Sequence, residues 1–282
     1  MNQHYLVTGA YGFIGSTFIK YLNTKGAGRI DVSDYLFDGR RHSSLDYALI
    51  HDFIHPDEID VSNYHTIFHF GAISDTTRWD GDEIIKRNYI FTRNLINQCQ
   101  LVGTKLSYAS SASVYGNDER TKPLNMYAYS KWLTDRYVLM HIHRPNVTSV
   151  VQGFRYFNVY SDDDSEQYKG DQASAYYKFK QQALETGVIK IFEGSENFKR
   201  DFIHVKDVCA IQWAMAYKPP GIYDLGTGKQ KSFLEVAEDV AARYNARIEY
   251  IPFPEHLRGR YQNSTLADMS YLQQLQLNHE FV

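Results

Sequence analysis

Val7-Thr8-Gly9-Ala10-Tyr11-Gly12-Phe13-Ile14-Gly15 is the stretch that decides the fold. The apolar run Tyr5-Leu6-Val7 before it reads as a strand, and Phe13 to Leu22 reads as a helix. A glycine-rich turn between a strand and a helix lets the backbone approach an anion closely. The helix start then points unpaired N–H groups and a positive dipole end at that anion. Gly9, Gly12 and Gly15, with Phe13 and Ile14 opening the helix, are therefore candidate binding residues for the pyrophosphate of a dinucleotide. Glycine spacing alone is weak evidence, so support must come from elsewhere in the chain.

Strands and helices alternate outward from this turn. Thr66 to Phe70, Lys105 to Ser110 and Thr148 to Phe154 read as strands, and Ile84 to Cys99 and Tyr127 to Met140 as helices. Ile30 to Ser33 is a poor strand candidate because Asp31 interrupts it. The alternation implies right-handed crossovers and an α/β fold, a doubly wound parallel sheet of the Rossmann type. Further on, Ala173 to Leu184 and Phe233 to Tyr244 look helical, and Phe202 to Tyr217 looks like strand-turn-helix, broken by Pro219-Pro220-Gly221. Val188 to Phe192, Ile222 to Leu225 and Ile248 to Ile251 look extended, while three consecutive aspartates make Ser161 to Glu166 an expected solvated loop. The expected organisation is a dinucleotide-binding domain of residues 1–160 plus 201–228, with a smaller interleaved substrate lobe of 161–200 plus 229–282.

Composition bounds the function classes. With 43% hydrophobic and 22% charged residues, the 282-residue chain is an ordinary soluble enzyme in composition. A net charge of −3 leaves no electrostatic footprint for nucleic acid. Apolar runs fall short of the roughly 20 residues that cross a bilayer. The N-terminus shows no signal-peptide pattern, so a cytoplasmic protein without membrane partners is expected. Cys99 and Cys209 form no Cys-x-x-Cys pair. His141 and His143 do not share a helix face, and His51 and His55 lack an evident third ligand, so no metal is assigned.

Two groups of residues carry chemistry. Asp34, 19 residues after Gly15, stands where an acidic side chain meets an adenosine ribose 2′-hydroxyl. Arg41, preceded by Arg40, could instead grip a 2′-phosphate, or be an exposed loop arginine. NADP is the first expectation and NAD the alternative. Gly71-Ala72-Ile73-Ser74 follows a strand on the ligand-binding side, where small residues would admit a dinucleotide; an ordinary tight turn reads the same way. Tyr127 and Lys131 are four apart and share a helix face, roughly 5–6 Å apart at Cβ. An ammonium beside a phenol favours phenolate, lowering a pKa ordinarily about 10. Tyr127 is then a proton acceptor for an alcohol becoming a carbonyl, Lys131 a partner for the nicotinamide ribose, and Ser111 a hydrogen-bond donor to the reacting oxygen. Such a pair is common on surface helices; the glycine turn upstream and Ser110-Ser111-Ala112 between them give it weight.

Together these residues resemble the extended short-chain dehydrogenase/reductase family over nearly the whole chain. Arg200-Asp201-Phe202-Ile203-His204-Val205-Lys206-Asp207-Val208 looks like that family's late signature, with a packing role. Lys122-Pro123-Leu124-Asn125, Gly153 to Tyr160, Phe192 to Arg200, Tyr250 to Pro254 and Gly259-Arg260-Tyr261-Gln262 resemble more particularly its ADP-glycero-manno-heptose 6-epimerase branch. That resemblance implies oxidation at C6″ to a transient ketone and re-reduction on the other face, with bound NADP recycled in place. It implies a nucleotide-diphospho-sugar substrate, ADP-heptose, and a second acid/base lysine at Lys169. It adds Tyr35 and Asn88 to the cofactor side, and Ser111, Asn158, Val159, Asp171, Lys178, Phe192, Glu193, Gly194, Ser195, Arg200 and Tyr261 to the substrate side. A homo-oligomer is the expected assembly. Departures from the pattern are Ser161-Asp162-Asp163-Asp164, Asp171, Lys178, Phe70 and Arg87. A 4,6-dehydratase would need a carboxyl group beside the serine, and Ala112 and Ser113 supply none.

Overall fold

The computed structural model describes residues 3–36, 42–78, 80–116, 122–141, 149–255 and 263–282. The chain opens with β1 (His4–Thr8), α1 (Phe13–Thr24), β2 (Arg29–Ser33), β3 (Asp52–Phe53) and β4 (Thr66–His69). There follow α2 (Gly81–Ile84), a π-helical stretch over Ile85–Ile90, and α3 (Phe91–Val102), which run on without a break. β5 (Lys105–Ser111), α4 (Met126–His141), β6 (Val151–Tyr156), β7 (Asn158–Tyr160), α5 (Ala175–Thr186) and β8 (Val188–Phe192) come next. The last elements are β9 (Lys199–His204), α6 (Val205–Met215), β10 (Gly221–Leu225), β11 (Gln230–Ser232), α7 (Phe233–Tyr244), β12 (Arg247–Ile251) and α8 (Ser270–Gln274).

Seven strands form one sheet in the order β10-β6-β5-β4-β1-β2-β3, every pair parallel. This is the expected doubly wound fold. Strand order reverses between β1 and β4, and in such sheets the crevice at that reversal, beyond the strands' carboxyl ends, takes the ligand. The central strands are buried on both faces and read as apolar runs: Tyr5, Leu6 and Val7 in β1, and Ile67 and Phe68 in β4. On one face Phe18, Ile19 and Leu22 of α1 pack with Val208, Ile211 and Met215 of α6. On the other, Leu95, Ile96 and Cys99 of α3 meet Leu106, Tyr108 and Val138. Each such large side chain contributes roughly 1.5–3 kcal/mol by leaving water.

Asp31 does not interrupt β2. It pairs with Leu6 in the sheet and is only 2% exposed. Tyr64 donates to its carboxylate at 3.2 Å, and His4 and His51 lie at 2.9 and 3.2 Å, so the charge is buried among partners rather than unpaired.

A second core lies beyond the large sheet. β8 and β12 pair in parallel, and α5 and α7 cover them around Phe179, Ile189, Ile191, Val236 and Val240. The α7 start is fixed by a capping box, in which Ser232 accepts from the Glu235 N–H and Glu235 accepts from the Ser232 N–H. A small sheet β11-β9-β7 sits where the two cores meet: β7 follows β6 after one residue, and β9 runs straight into α6. Asp201 in β9 accepts from the N–H groups of Thr227, Gly228 and Ala267 and from the Thr227 hydroxyl, at 2.7–3.1 Å. That lacing is a packing role for the late signature. The expected solvated loop divides in two. Asp162, Asp163 and Asp164 are exposed, but Glu166 is fully buried and accepts from Ser161 N–H, Ser174 N–H and the Ser174 hydroxyl.

Candidate active site

The glycine turn has the geometry its sequence calls for. Gly9 has φ +66, and a Cβ there would lie 2.5 Å from the Gly71 nitrogen. A Cβ on Gly15 would lie 2.2 Å from the Gly9 carbonyl oxygen. Two glycines thus let β1, α1 and the loop after β4 close together, where any side chain would wedge them apart. Gly12 caps α1 without a side-chain hydrogen bond, so no side chain of the cap occupies the first-turn N–H groups. That end fits a pyrophosphate. Asp34 follows β2 and accepts from the Tyr11 and Leu36 N–H groups, both at 3.0 Å, which holds the turn and leaves carboxylate lone pairs for a ribose hydroxyl. Tyr35 is engaged by its neighbours: the Arg87 guanidinium lies 3.8 Å from its ring centroid, and its hydroxyl donates to Asp57. Arg41 lies outside the described residues.

The loop Gly71-Ala72-Ile73-Ser74 is clamped rather than free. Asn88, 1% exposed on the π-helical stretch, accepts from Ile73 N–H at 2.8 Å and donates to the Ile73 carbonyl at 2.9 Å and to Ser130 Oγ at 3.0 Å. Its amide joins this loop to the helix that carries Tyr127 and Lys131. His69, at the end of β4, bridges Thr8 and Thr92 at 2.5 and 2.8 Å. Burial, with Lys131 nearby, pushes its pKa down to about 3, so it stays neutral.

Ser111, Tyr127 and Lys131 come together where β5 meets α4. Ser113 donates to Ser111 Oγ at 2.8 Å, and Ser111 shares a hydrogen bond with the Tyr127 phenol. The Lys131 ammonium lies 5.9 Å from the Tyr127 ring centroid and donates to the Ala109 carbonyl at 2.6 Å. The expected lowering of the phenol does not appear. Burial raises the Tyr127 pKa above its ordinary 10, and the Ser111 hydrogen bond only partly opposes it. The cost of desolvating a phenolate outweighs an ammonium that is itself buried and pointed at a carbonyl. The same burial brings Lys131 down to about 8, with Asp135 acting to raise it. Asp135, 1% exposed and one turn beyond Lys131, accepts from Arg155 Nε at 2.7 Å and from the Tyr108 hydroxyl at 2.9 Å. Arg155 also donates to the Tyr115 hydroxyl, which donates to Asp224.

Lys169 sits on a 3-10 segment, Gln167–Gln172, and its ammonium lies 3.8 Å from Glu166 and 5.1 Å from the Phe13 ring centroid. Burial first, and Lys178 after it, lower the Lys169 pKa, against Glu166. Lys178 on α5 donates to the Asp171 carbonyl at 2.7 Å, so these two expected substrate residues are tied to each other. Asn158 and Val159 lie in β7, paired with β9 two residues past Arg200. Phe192 ends β8, Glu193 N–H donates to the Ile251 carbonyl, and Gly194, at φ +82, turns the chain so that Ser195 Oγ donates back to Phe192. Arg200 is 5% exposed, with its guanidinium 5.5 Å from the Phe233 ring centroid. Ala267 packs on Ala112 and Phe157, which brings the C-terminal segment beside Ser111. Tyr261 lies outside the described residues.

Sequence reading passes over Asp135, Glu166 and His69. The first had a signal in its four-residue spacing from Lys131 on one helix face. The other two find their places only through the fold.

The description "NAD dependent epimerase/dehydratase family" matches residues 5–226. The ADP-L-glycero-D-manno-heptose-6-epimerase of Helicobacter pylori is 26% identical and superposes at a TM-score of 0.83, over 99% of this chain and 92% of that one. MoeE5, solved with UDP-glucose and NAD, is 25% identical at a TM-score of 0.78, over 96% of this chain and 91% of that one. The UDP-N-acetylglucosamine 4-epimerase of Methanobrevibacter ruminantium M1, 21% identical, shares the fold at a TM-score of 0.83, over 100% and 93% of the two chains. With its glycine turn, clamped loop and serine–tyrosine–lysine group in place, the chain belongs to the NAD-dependent epimerase/dehydratase family.

Proposed function

We propose that this chain epimerises a nucleotide-diphospho-sugar, ADP-glycero-manno-heptose at C6″, by transient oxidation and re-reduction. The observation that carries the reading is the Ser111–Tyr127–Lys131 group, joined through Asn88 and Ser130 to the loop facing the glycine turn. When bound, the nicotinamide would supply hydride acceptance and return. Tyr127 takes the proton from the sugar hydroxyl, and Ser111 holds that oxygen. Its raised pKa makes the phenolate a stronger base, which favours this proton removal, and the phenol a weaker acid than free tyrosine. Lys169, with its lowered pKa, is the second acid/base group, serving the opposite face after the ketone turns over. Arg200 is the fork for the substrate pyrophosphate, with Asn158, Val159, Phe192, Glu193, Gly194, Ser195, Asp171, Lys178 and Tyr261 around the sugar nucleotide.

Asp34 supports NAD, because a carboxylate repels a 2′-phosphate and suits a 2′-hydroxyl. The expected preference for NADP rests on Arg41. Epimerase is favoured over 4,6-dehydratase because the neighbour bonded to Ser111 is the Ser113 hydroxyl and not a carboxyl group.

The test is an NMR assay of protein loaded with NAD or NADP. ADP-heptose should convert to its C6″ epimer while UDP-galactose and UDP-N-acetylglucosamine remain unchanged. Conversion of a UDP-sugar alone would move the assignment to a 4-epimerase, and no conversion of any would remove the enzymatic reading. Titration of both cofactors decides between Asp34 and Arg41 as the selecting residue.

A further inference from the structure

Glu166 to Ser174 form a strap across the mouth of the large sheet. Its two ends are held by one buried carboxylate, since Glu166 accepts from both Ser161 and Ser174. Between them the chain touches three separate loops at the strands' carboxyl ends. Tyr168 bonds through its hydroxyl to Ser43, beyond β2, and stands edge-on to the His42 ring at 4.7 Å. His42 in turn stacks on Tyr11 of the glycine turn at 5.1 Å. Lys169 covers Phe13, at the start of α1. Gln172 donates to Asp75, beyond β4, at 3.3 Å. Those three loops border the crevice between β1 and β4, where the dinucleotide is placed by the reading above. The strap carries its own pivot: Gly170 has φ +50 and ψ −128, a backbone state open to glycine and costly for other residues.

We propose that this strap is a latch that keeps the dinucleotide bound through many turnovers, with Tyr168 closing the adenosine end and Gln172 the end nearer the chemistry. The inference rests on the proposed epimerase function and deepens it. An enzyme that oxidises and re-reduces one sugar must not lose its reduced cofactor in between, whereas a dehydrogenase must release it on every cycle. Opening the latch requires breaking the Tyr168, Lys169 and Gln172 contacts. Glu166 stays buried at the base, and Gly170 absorbs the change in backbone direction. The aromatic series Tyr11–His42–Tyr168 couples the glycine turn to the strap, so occupancy of the turn is felt at the latch.

The experiment measures release of prebound NADH, by loss of its fluorescence when it is chased with excess NAD. Tyr168→Ala combined with Gln172→Ala should release NADH roughly ten-fold faster or more, and Tyr168→Phe, which keeps the ring and loses the hydroxyl bond, by a few-fold. Hydrogen exchange of the unmodified protein, read over residues 166–174, should slow when NADH binds; this readout stands even if the double variant folds poorly. Release at the original rate, or strap amides indifferent to NADH, overturns the latch while leaving the epimerase reading intact. If the unmodified protein does not hold NADH at all, both fall together.

Discussion

The two sides of the crevice are built by different means. The side proposed for the dinucleotide is made of backbone: Gly9 and Gly15 allow contacts no Cβ would permit, and the polar groups behind them, Asn88 and His69, are buried and hydrogen-bonded. The side proposed for the sugar is made of side chains carried on short strands and on the strap, anchored at Glu166 and Asp201, with the ion pairs Lys180–Asp164 and Arg243–Asp162 around the rim. Backbone geometry recognises what all dinucleotides share. Side-chain geometry can tell one sugar from another, and Asp171 and Lys178 on that side depart from the pattern the chain resembles, as Phe70 and Arg87 do on the other.

The sharpest way to break this contrast is at the point where the two sides meet. Tyr127→Phe removes one oxygen and leaves the ring, the glycine turn and the Asn88 clamp in place. We expect turnover to fall by roughly 10²–10⁴, with NAD affinity unchanged within about two-fold. Stopped turnover with intact binding separates chemistry from cofactor recognition. Unchanged turnover would remove Tyr127 from the proton path.

The same contrast explains what could be read from sequence. The glycine turn, the alternation of apolar runs with helical segments, and the Tyr127–Lys131 spacing are local patterns, and each corresponds to a local cause: close approach, two-sided burial, one helical turn. Asp31 argues against a strand in the sequence because a carboxylate inside an apolar run needs partners, and His51 and Tyr64 are 20 and 33 residues away. Tyr168 is 125 residues from Ser43, and Gln172 is 97 from Asp75, so no sequence period could announce the strap. β3, β7 and β11 span two or three residues each, too short for an alternation to show. Spacing places the phenol and the ammonium together without saying how dry the place is, so the direction of the phenol's pKa is not legible in it.

Lys131 gives a graded test on the buried side. Its pKa of about 8 lies below the ordinary 10.4, so the charged form costs stability below pH 8, and that cost fades as pH rises toward 10.4. Activity that needs the ammonium should therefore fall as pH rises through about 8. Asp135 is the group holding that value up. Asp135→Asn should move the basic limb of the rate profile to lower pH, with a several-fold loss of rate at pH 8 and little at pH 6.5. A uniform loss across pH would mean that Asp135 only supports packing through Arg155 and Tyr108.

The smallest effect is expected on the rim, and it is diagnostic for that reason. Asp162 makes an ion pair with Arg243 at 2.8 Å and lies 3.6 Å from His204, but it is half exposed and solvent screens both interactions. Asp162→Asn should change stability by no more than about 0.5 kcal/mol, a shift in melting temperature of roughly 1–2 °C. Four residues on, Glu166 is fully buried and serves three donors, so Glu166→Ala should cost about 3 kcal/mol by leaving them without a partner. Two carboxylates in one acidic run are thereby assigned opposite weights, and calorimetry on the pair reads the difference directly. Equal losses would mean that the aspartates, too, hold the base of the strap. A difference of several degrees would place the greater weight on buried Glu166 and leave Asp162 free to vary.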